Sequence, residues 1–591
     1  SNSYVVAGEP EKSSLFFEIE TDAMPFRGPA LEPSEKLAIK NWILSGAPDP
    51  KQSTSGIGRI DNAAWGKALV TEFAKVPVAD RPFIRFFSFT HLFNQAKKQS
   101  EVDEYYFAIT KLLNSLSQNP QVLIPTEVPG LKKTVFMVDI RGLAWSQDQW
   151  KKVEALYPYF VPTQDMLKLR KASGVKVPVV NGDWFLKFAS IEPLYGILLD
   201  HPKNSNELEA RLGVNRLDDV KRLRVARAGF VQSGVSSNNR VIDRHSIPGS
   251  QLQAYWISYD FADGLNKKDI MENPLGPVGI SSNHAFEHDG GEIIYHLPNG
   301  FFGYMLVDNR GNTLRDAPIS IVSDEDPRRP VISNGVSCFT CHGNGLVRKF
   351  DTVLSNSFGA NTFSPTEIEQ LSRLYVKQDK LELLFANDNK IYQTALAEAK
   401  IPERRPEDEF ISKQTFRFDE LMTLDMAAET LGIEPDRLKT LVTNDPGLKI
   451  LKAQLLGAGL PRPKYIQFYP ELLKALGLVE PTPTPAPTPV PTPSPTPPPK
   501  PDCRCRCKTS AYTKRVGWLD TYFPPAGSPT TDDFKKDCAA KGGLIAYIGV
   551  SSGSSCRFLA CHTKEEVERE ISSNRSGGIH RTVESAKAAA A

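Results

Sequence analysis

From Pro33 to Leu44 apolar residues recur at helical spacing, and Gly46 supplies a stop. The same period predicts helices over Ala64–Phe73, Phe83–Gln95, Glu104–Leu116 and Gln147–Leu156. Between about Ala254 and Val322 the character changes to strand. Tyr255 to Tyr259, Glu292 to Leu297 and Gly303 to Val307 are strand-like, with Pro298-Asn299-Gly300 and Asn309-Arg310-Gly311-Asn312 as turns. The second turn predicts a hairpin joining Met305 to Leu314. Helical spacing returns over Ser364–Lys377, Lys380–Ala399 and Thr423–Leu431. The predicted fold class is α+β: a mainly helical body with an antiparallel β region, plus a small disulfide-rich C-terminal module.

Thr and Pro alternate from Pro481 to Pro501, where no packed core can form. Repeated proline fixes φ and removes donors, so this stretch reads as a polyproline II spacer of roughly 65 Å at 3.1 Å per residue. The expected organisation is a first segment at 1–50, a large body at 51–479, a Pro/Thr linker at 480–502, a cysteine-rich module at 503–587 and a vector tail at 588–591. The module is expected to fold independently, with the body keeping its properties without it.

Length (591 residues) predicts several domains, and a formal net charge of +2 gives no reason to expect a nucleic-acid partner. No apolar run is long enough for a transmembrane span, so a soluble protein is expected. The chain begins Ser1-Asn2-Ser3, which suggests a removed signal peptide or a trimmed N-terminus. Its eight cysteines divide unevenly: Cys338 and Cys341 stand alone, and Cys503, Cys505, Cys507, Cys538, Cys556 and Cys561 cluster near the end. An even cluster of this kind predicts three disulfides and hence an oxidising location, periplasmic or at the cell surface.

The segment with the most chemistry is Cys338-Phe339-Thr340-Cys341-His342. Two thiols three residues apart on one helical turn can each add to a haem vinyl group, and the adjacent histidine is presented to the iron. The expected cofactor is one covalent haem c, with His342 as the proximal iron ligand. A redox CxxC should follow a strand and open a helix in a short βαβ unit, and a zinc site needs a second ligand pair nearby. The sequence offers neither. Attachment of such a haem in bacteria takes place outside the cytoplasm, in agreement with the clustered cysteines.

For the sixth iron position the candidates outside the N-terminal segment are His284, His288, His296, Met422 and Met426, each with an ordinary core or surface role as the competing reading. Asp289 and Glu292 are candidates for acid–base work beside a haem, and Arg328 and Arg329 for pairing with its propionates. Cys556, Cys561 and His562 also fit an expanded C-x4-C-H spacing that would hold a second haem.

From about Arg81 to Leu431 the chain resembles a family of large, mostly uncharacterised cytochrome-c-domain proteins of Gram-negative bacteria. The resemblance rests on Val138-Asp139-Ile140-Arg141-Gly142, Asp183-Trp184-Phe185, Arg227-Ala228-Gly229-Phe230 and the long stretch His288 to Gly300, leading to the CxxCH. It implies cofactor and compartment without naming a reaction. Residues 1–50 are similar to the second half of a class I cytochrome c, which makes Met24 of Met24-Pro25 a candidate distal ligand, although the CxxCH half that should precede it is absent. The functions in play are electron transfer with a redox partner protein, a peroxidase-like haem enzyme with an open face, and a surface binding or scaffold protein with a structural haem. The C-terminal module is expected to bind a cell-surface component or a partner.

Overall fold

Strand formation in the body follows from buried β-rich runs at two places in the chain. The computed structural model describes residues 4–479, apart from 7, 25–29, 45–57, 97–98, 232, 234, 236–237, 251–252, 278, 280–281, 325–329 and 358–362, and then only 543–550 and 557–563. The chain divides into two compact units, 1–481 and 482–591, so the boundary falls where the Pro/Thr tract begins.

Four short strands form the first sheet: β1 (Ile84–Ser88), β2 (Thr126–Glu127), β3 (Val135–Asp139) and β4 (Val179–Asn181), in the order β2-β3-β1-β4. It is mixed, with β1 antiparallel to β3 and parallel to β4. This corrects the helix expected over Phe83–Gln95. Every residue of β1 is buried, and a short apolar run buried on both faces carries no period that separates strand from helix. Only Thr90–Phe93, directly after the strand, is helical.

The second sheet has six strands in meander order: β5 (Ala226–Val231), β6 (Asn239–Ser246), β7 (Ala254–Asp260), β8 (Gly290–His296), β9 (Phe302–Asp308) and β10 (Thr313–Leu314). All its pairings are antiparallel, and the expected hairpin is the β9–β10 pair with Leu314 opposite Leu306. The sheet thus begins at Ala226, earlier than the residue pattern indicated.

Helices cover the sheet. Gln147–Leu156 opens on a capping box in which Ser146 and Gln149 satisfy each other's backbone, and Pro365–Leu374 does the same with Ser364 and Glu367. The helix Gln378–Glu398 is fastened to the sheet by Asp388, which accepts both guanidinium branches of Arg244 at 2.8 and 2.9 Å and the Trp256 indole at 2.7 Å. At the N-terminus the expected helix Pro33–Leu44 is present and lies against Ser14–Glu20. Among the described residues no helix is long and apolar enough to cross a membrane.

In the second unit β11 (Gly543–Val550) pairs antiparallel with β12 (Arg557–Thr563), setting Cys561 opposite Ile545 and His562 opposite Leu544. The remaining clustered cysteines, the Pro/Thr tract and residues 588–591 lie outside the described residues. The disulfide-rich character expected of this module is therefore not among the features described.

Candidate functional site

The CxxCH stretch occupies a short helix, Val336–Cys341, with His342 as its C-terminal cap. Cys338 and Cys341 therefore share one helical turn, as the spacing predicts. Neither is in a disulfide; Cys338 is buried and Cys341 exposed. Upstream, Asn334 anchors the turn by donating to Glu192 Oε1 at 2.9 Å and accepting the Leu306 N–H at 3.2 Å.

Downstream, a buried ion pair holds the chain. Lys111 Nζ donates to the Gly343 carbonyl at 2.8 Å and to Glu409 Oε1 at 2.9 Å, and the two side chains are only 3% and 2% exposed. The other Glu409 oxygen accepts the Ser412 N–H at 2.8 Å and so caps the helix Phe410–Phe418. Lys111 itself belongs to the helix Gln99–Ser115. Two helices from distant parts of the chain thus fix the residue that follows His342. Nothing in the sequence near the motif announces this clamp.

The His342 ring is oriented by its own turn. Nδ1 lies 3.2 Å from the Gly345 carbonyl, the geometry of an N–H donor, which leaves Nε2 as the nitrogen with a free lone pair. Gly345 sits at φ +129°, and a Cβ there would come within 2.4 Å of Asn389 Oδ1. Only glycine brings the carbonyl to the ring at that point.

A cavity of about 340 Å³ separates this turn from one face of the six-stranded sheet. That volume lies within the range of small-molecule sites, roughly 300–1,000 Å³. Strand alternation supplies its wall: Arg240 and Ile242 on β6, Ser258 and Asp260 on β7, Glu292 and Ile294 on β8 all face it. Register confirms the shared face, since Arg240 is opposite Asp260 and Ile242 opposite Ser258.

The polar part of this wall is a connected chain. Arg240 pairs with Asp260 Oδ1, Asp260 Oδ2 accepts the Ser258 hydroxyl at 3.2 Å, and that hydroxyl accepts the Glu292 N–H at 2.8 Å. Glu292 Oε2 then stands 3.8 Å from His342 Nε2, beyond hydrogen-bond reach. Burial pushes the Glu292 carboxyl up, but interaction with a charged His342 ring and with the Arg240 guanidinium outweighs it and lowers the group. Burial and the nearby Glu292 push both thiols the other way, Cys341 to about 11 and Cys338 well above the ordinary thiol range. Lys349, also on the cavity wall, donates to the Ser233 carbonyl at 2.7 Å.

Of the residues singled out in the sequence, Cys338, Cys341, His342 and Glu292 come together here. The other singled-out residues among those described do not line the cavity. Met24 is half-buried near the end of the helix Ser14–Glu20, its N–H donating to the Glu18 carbonyl at 3.1 Å. His296 has both ring nitrogens in use, one on the Ala254 N–H and one on the Asp388 carbonyl. His284 Nδ1 contacts the Glu272 carbonyl at 2.8 Å, and His288 packs edge-on against Tyr259. Met422 is buried where its backbone pairs with Leu460, and Met426 packs against the core from the helix Leu424–Leu431. Asp289 accepts the Ala262 N–H and pairs with Lys268. Arg328, Arg329 and Cys556 lie outside the described residues. Arg240 and Lys349 are the cavity cations that the sequence reading missed, and the alternation of β6 was the signal for the first. Among the described residues no group of three or more His, Cys, Asp or Glu side chains is arranged to hold a free metal ion.

Compared with known proteins, the chain finds no match: no protein-family model, no curated protein and no solved structure aligns with it.

Proposed function

We propose that the chain is a secreted c-type haem protein, with one haem held by Cys338 and Cys341, His342 as the proximal iron ligand, and electron transfer as its function. The observation that carries this reading is the His342 ring. It is locked by its Nδ1 contact to Gly345, and its Nε2 is left without a hydrogen-bond donor inside a cavity that both cysteines line. A ligating histidine ordinarily gives its other N–H to a carbonyl in this way, which fixes the tautomer and raises basicity. When bound, the haem supplies a one-electron iron couple.

The chain's own residues fit that group. Ile242, Ile294 and Leu306 give the cavity apolar walls, and Arg240 and Lys349 are cations suited to propionates. A dithiol oxidoreductase is less well supported, because redox cysteines have depressed pKa values and these two are raised. A haem of this type needs only one protein nitrogen, so it does not require the ligand cluster that a free ion would. A peroxidase-like activity is the second reading, favoured by the buried Glu292 beside Arg240. The location proposed is the periplasm or cell surface, with a redox protein as partner. The C-terminal cysteines are proposed to pair as disulfides in a module that binds a surface component.

The test is production in a host with c-type maturation, followed by intact mass and acid–acetone extraction. One haem of added mass and no extractable colour are expected, with both lost in a Cys338→Ala, Cys341→Ala double variant. Extractable haem, or added mass that survives the double substitution, would sink the proposal. A gain of two haems would move attention to Cys556, Cys561 and His562.

A further inference from the structure

We propose that Glu292 is the side chain that faces the haem iron across from His342, so that the sixth position carries a carboxylate or an exchangeable small ligand in place of a methionine or a second histidine. This rests on the haem reading above.

The geometry begins at Gly291. A Cβ at that residue would lie 2.0 Å from the Ser258 carbonyl oxygen, so glycine is what lets β8 close on β7 at this point. The next residue, Glu292, is then held by its N–H on the Ser258 hydroxyl, and its side chain faces the cavity. Its carboxylate stops 3.8 Å from His342 Nε2. That gap is too long for a hydrogen bond. It is close to the sum of a metal–nitrogen and a metal–oxygen bond, each about 2 Å.

The other acid on the wall, Asp260, is committed to Arg240 and Ser258. Neither histidine nor methionine is found on the described cavity wall apart from His342 itself. Arg240, on the same cavity wall, offsets part of the charge of the buried carboxylate. None of the distal candidates raised by the sequence lines this cavity, and the sheet sets Glu292, singled out there only for acid–base work, on its wall instead.

The experiment uses the full-length haem-loaded protein. Ferric wild type should show a weak-field, high-spin optical and electron paramagnetic resonance signature. Glu292→Gln should alter that signature and tighten cyanide binding by about tenfold or more, because a neighbouring negative charge no longer opposes the anion. Glu292→His should convert the iron to low spin. A low-spin His/Met or bis-His signal in the wild type would overturn the proposal without recourse to any variant. So would covalent haem whose spectrum and cyanide affinity are unchanged in Glu292→Gln. If the wild type carries no covalent haem at all, the haem reading fails, and that result is distinct from either of these. Should Glu292→Gln fail to fold, the wild-type resonance signal still decides.

Discussion

His91 and His342 each stand beside a buried carboxylate on the wall of a cavity, one at each sheet. The cavity at His91 is the larger, about 440 Å³, and Trp65, Tyr157, Tyr159 and Phe160 give it an aromatic lining. Yet His91 spends its Nε2 on Asp183 Oδ1 at 3.0 Å, and the same oxygen accepts the Trp184 N–H at 2.8 Å. His342 has its Nδ1 tied to backbone and its Nε2 held 3.8 Å from the nearest acid. Volume therefore ranks these sites in one order and the gap between ring nitrogen and carboxylate, 3.0 Å against 3.8 Å, sets them apart in another way. The contrast teaches that a histidine–carboxylate contact closed to hydrogen-bond distance is a structural fastening, while one held just beyond it leaves room for a third participant.

The largest expected effect comes from removing the clamp that only one of these histidines has. Lys111→Met should leave Glu409 as an unpaired buried charge and cost about 3–5 kcal/mol in chemical denaturation. Adding Glu409→Leu should recover much of that loss. If the single variant unfolds no more easily than wild type, the turn after His342 is held by other means.

Next, Gly345→Ala forces an alanine into φ +129° against Asn389, an arrangement worth about 1–3 kcal/mol of strain. In the haem-loaded protein it should also disturb the optical spectrum, because the carbonyl that orients His342 moves. Asp183→Asn should cost about 1–3 kcal/mol through the lost charged hydrogen bond to His91, with the spectrum unchanged. A spectral change in that variant would show that the two sites are coupled, and the contrast between them would collapse.

The smallest effect concerns a third histidine that faces no carboxylate. His201 contacts the Tyr295 hydroxyl at 3.1 Å, while its Nδ1 is buried without a hydrogen bond. Burial, with Arg211 adding, lowers its pKa from 6.5 to about 3. The unfolded chain therefore binds the proton more readily between those values. The stability His201 contributes is full above pH 6.5 and declines as pH falls toward 3. After allowance for its residual solvent contact, about 1 kcal/mol should be lost between pH 6.5 and 5. In His201→Phe that part of the acid slope should flatten.

Elements with a clean period were legible in the sequence. Gln147–Leu156 begins and ends where its pattern does, and the β9–β10 hairpin follows its Asn-Arg-Gly-Asn turn. β1 was misread because Phe86 and Phe87 are both buried in the sheet, which erases alternation. The CxxCH turn was readable since all its chemistry is local. Glu292 was visible as a strand acid, but its position opposite His342 depends on how β8 lies against the motif helix, a tertiary fact. Lys111 and Glu409 are 298 residues apart, and ordinary charged residues at that separation give no sign that they will meet.

Cys338 is only 2% exposed, and the turn that carries it is closed by helices drawn from both earlier and later parts of the chain. Until Phe410–Phe418 has docked, the thiols of the motif stand open on a partly folded body. The attachment proposed for Cys338 would belong to that interval. Once Glu409 has met Lys111, the finished protein shields the very sulfur that an assembly enzyme would need to reach. On the haem reading, maturation and folding of this chain are expected to be ordered in time, attachment first and closure second.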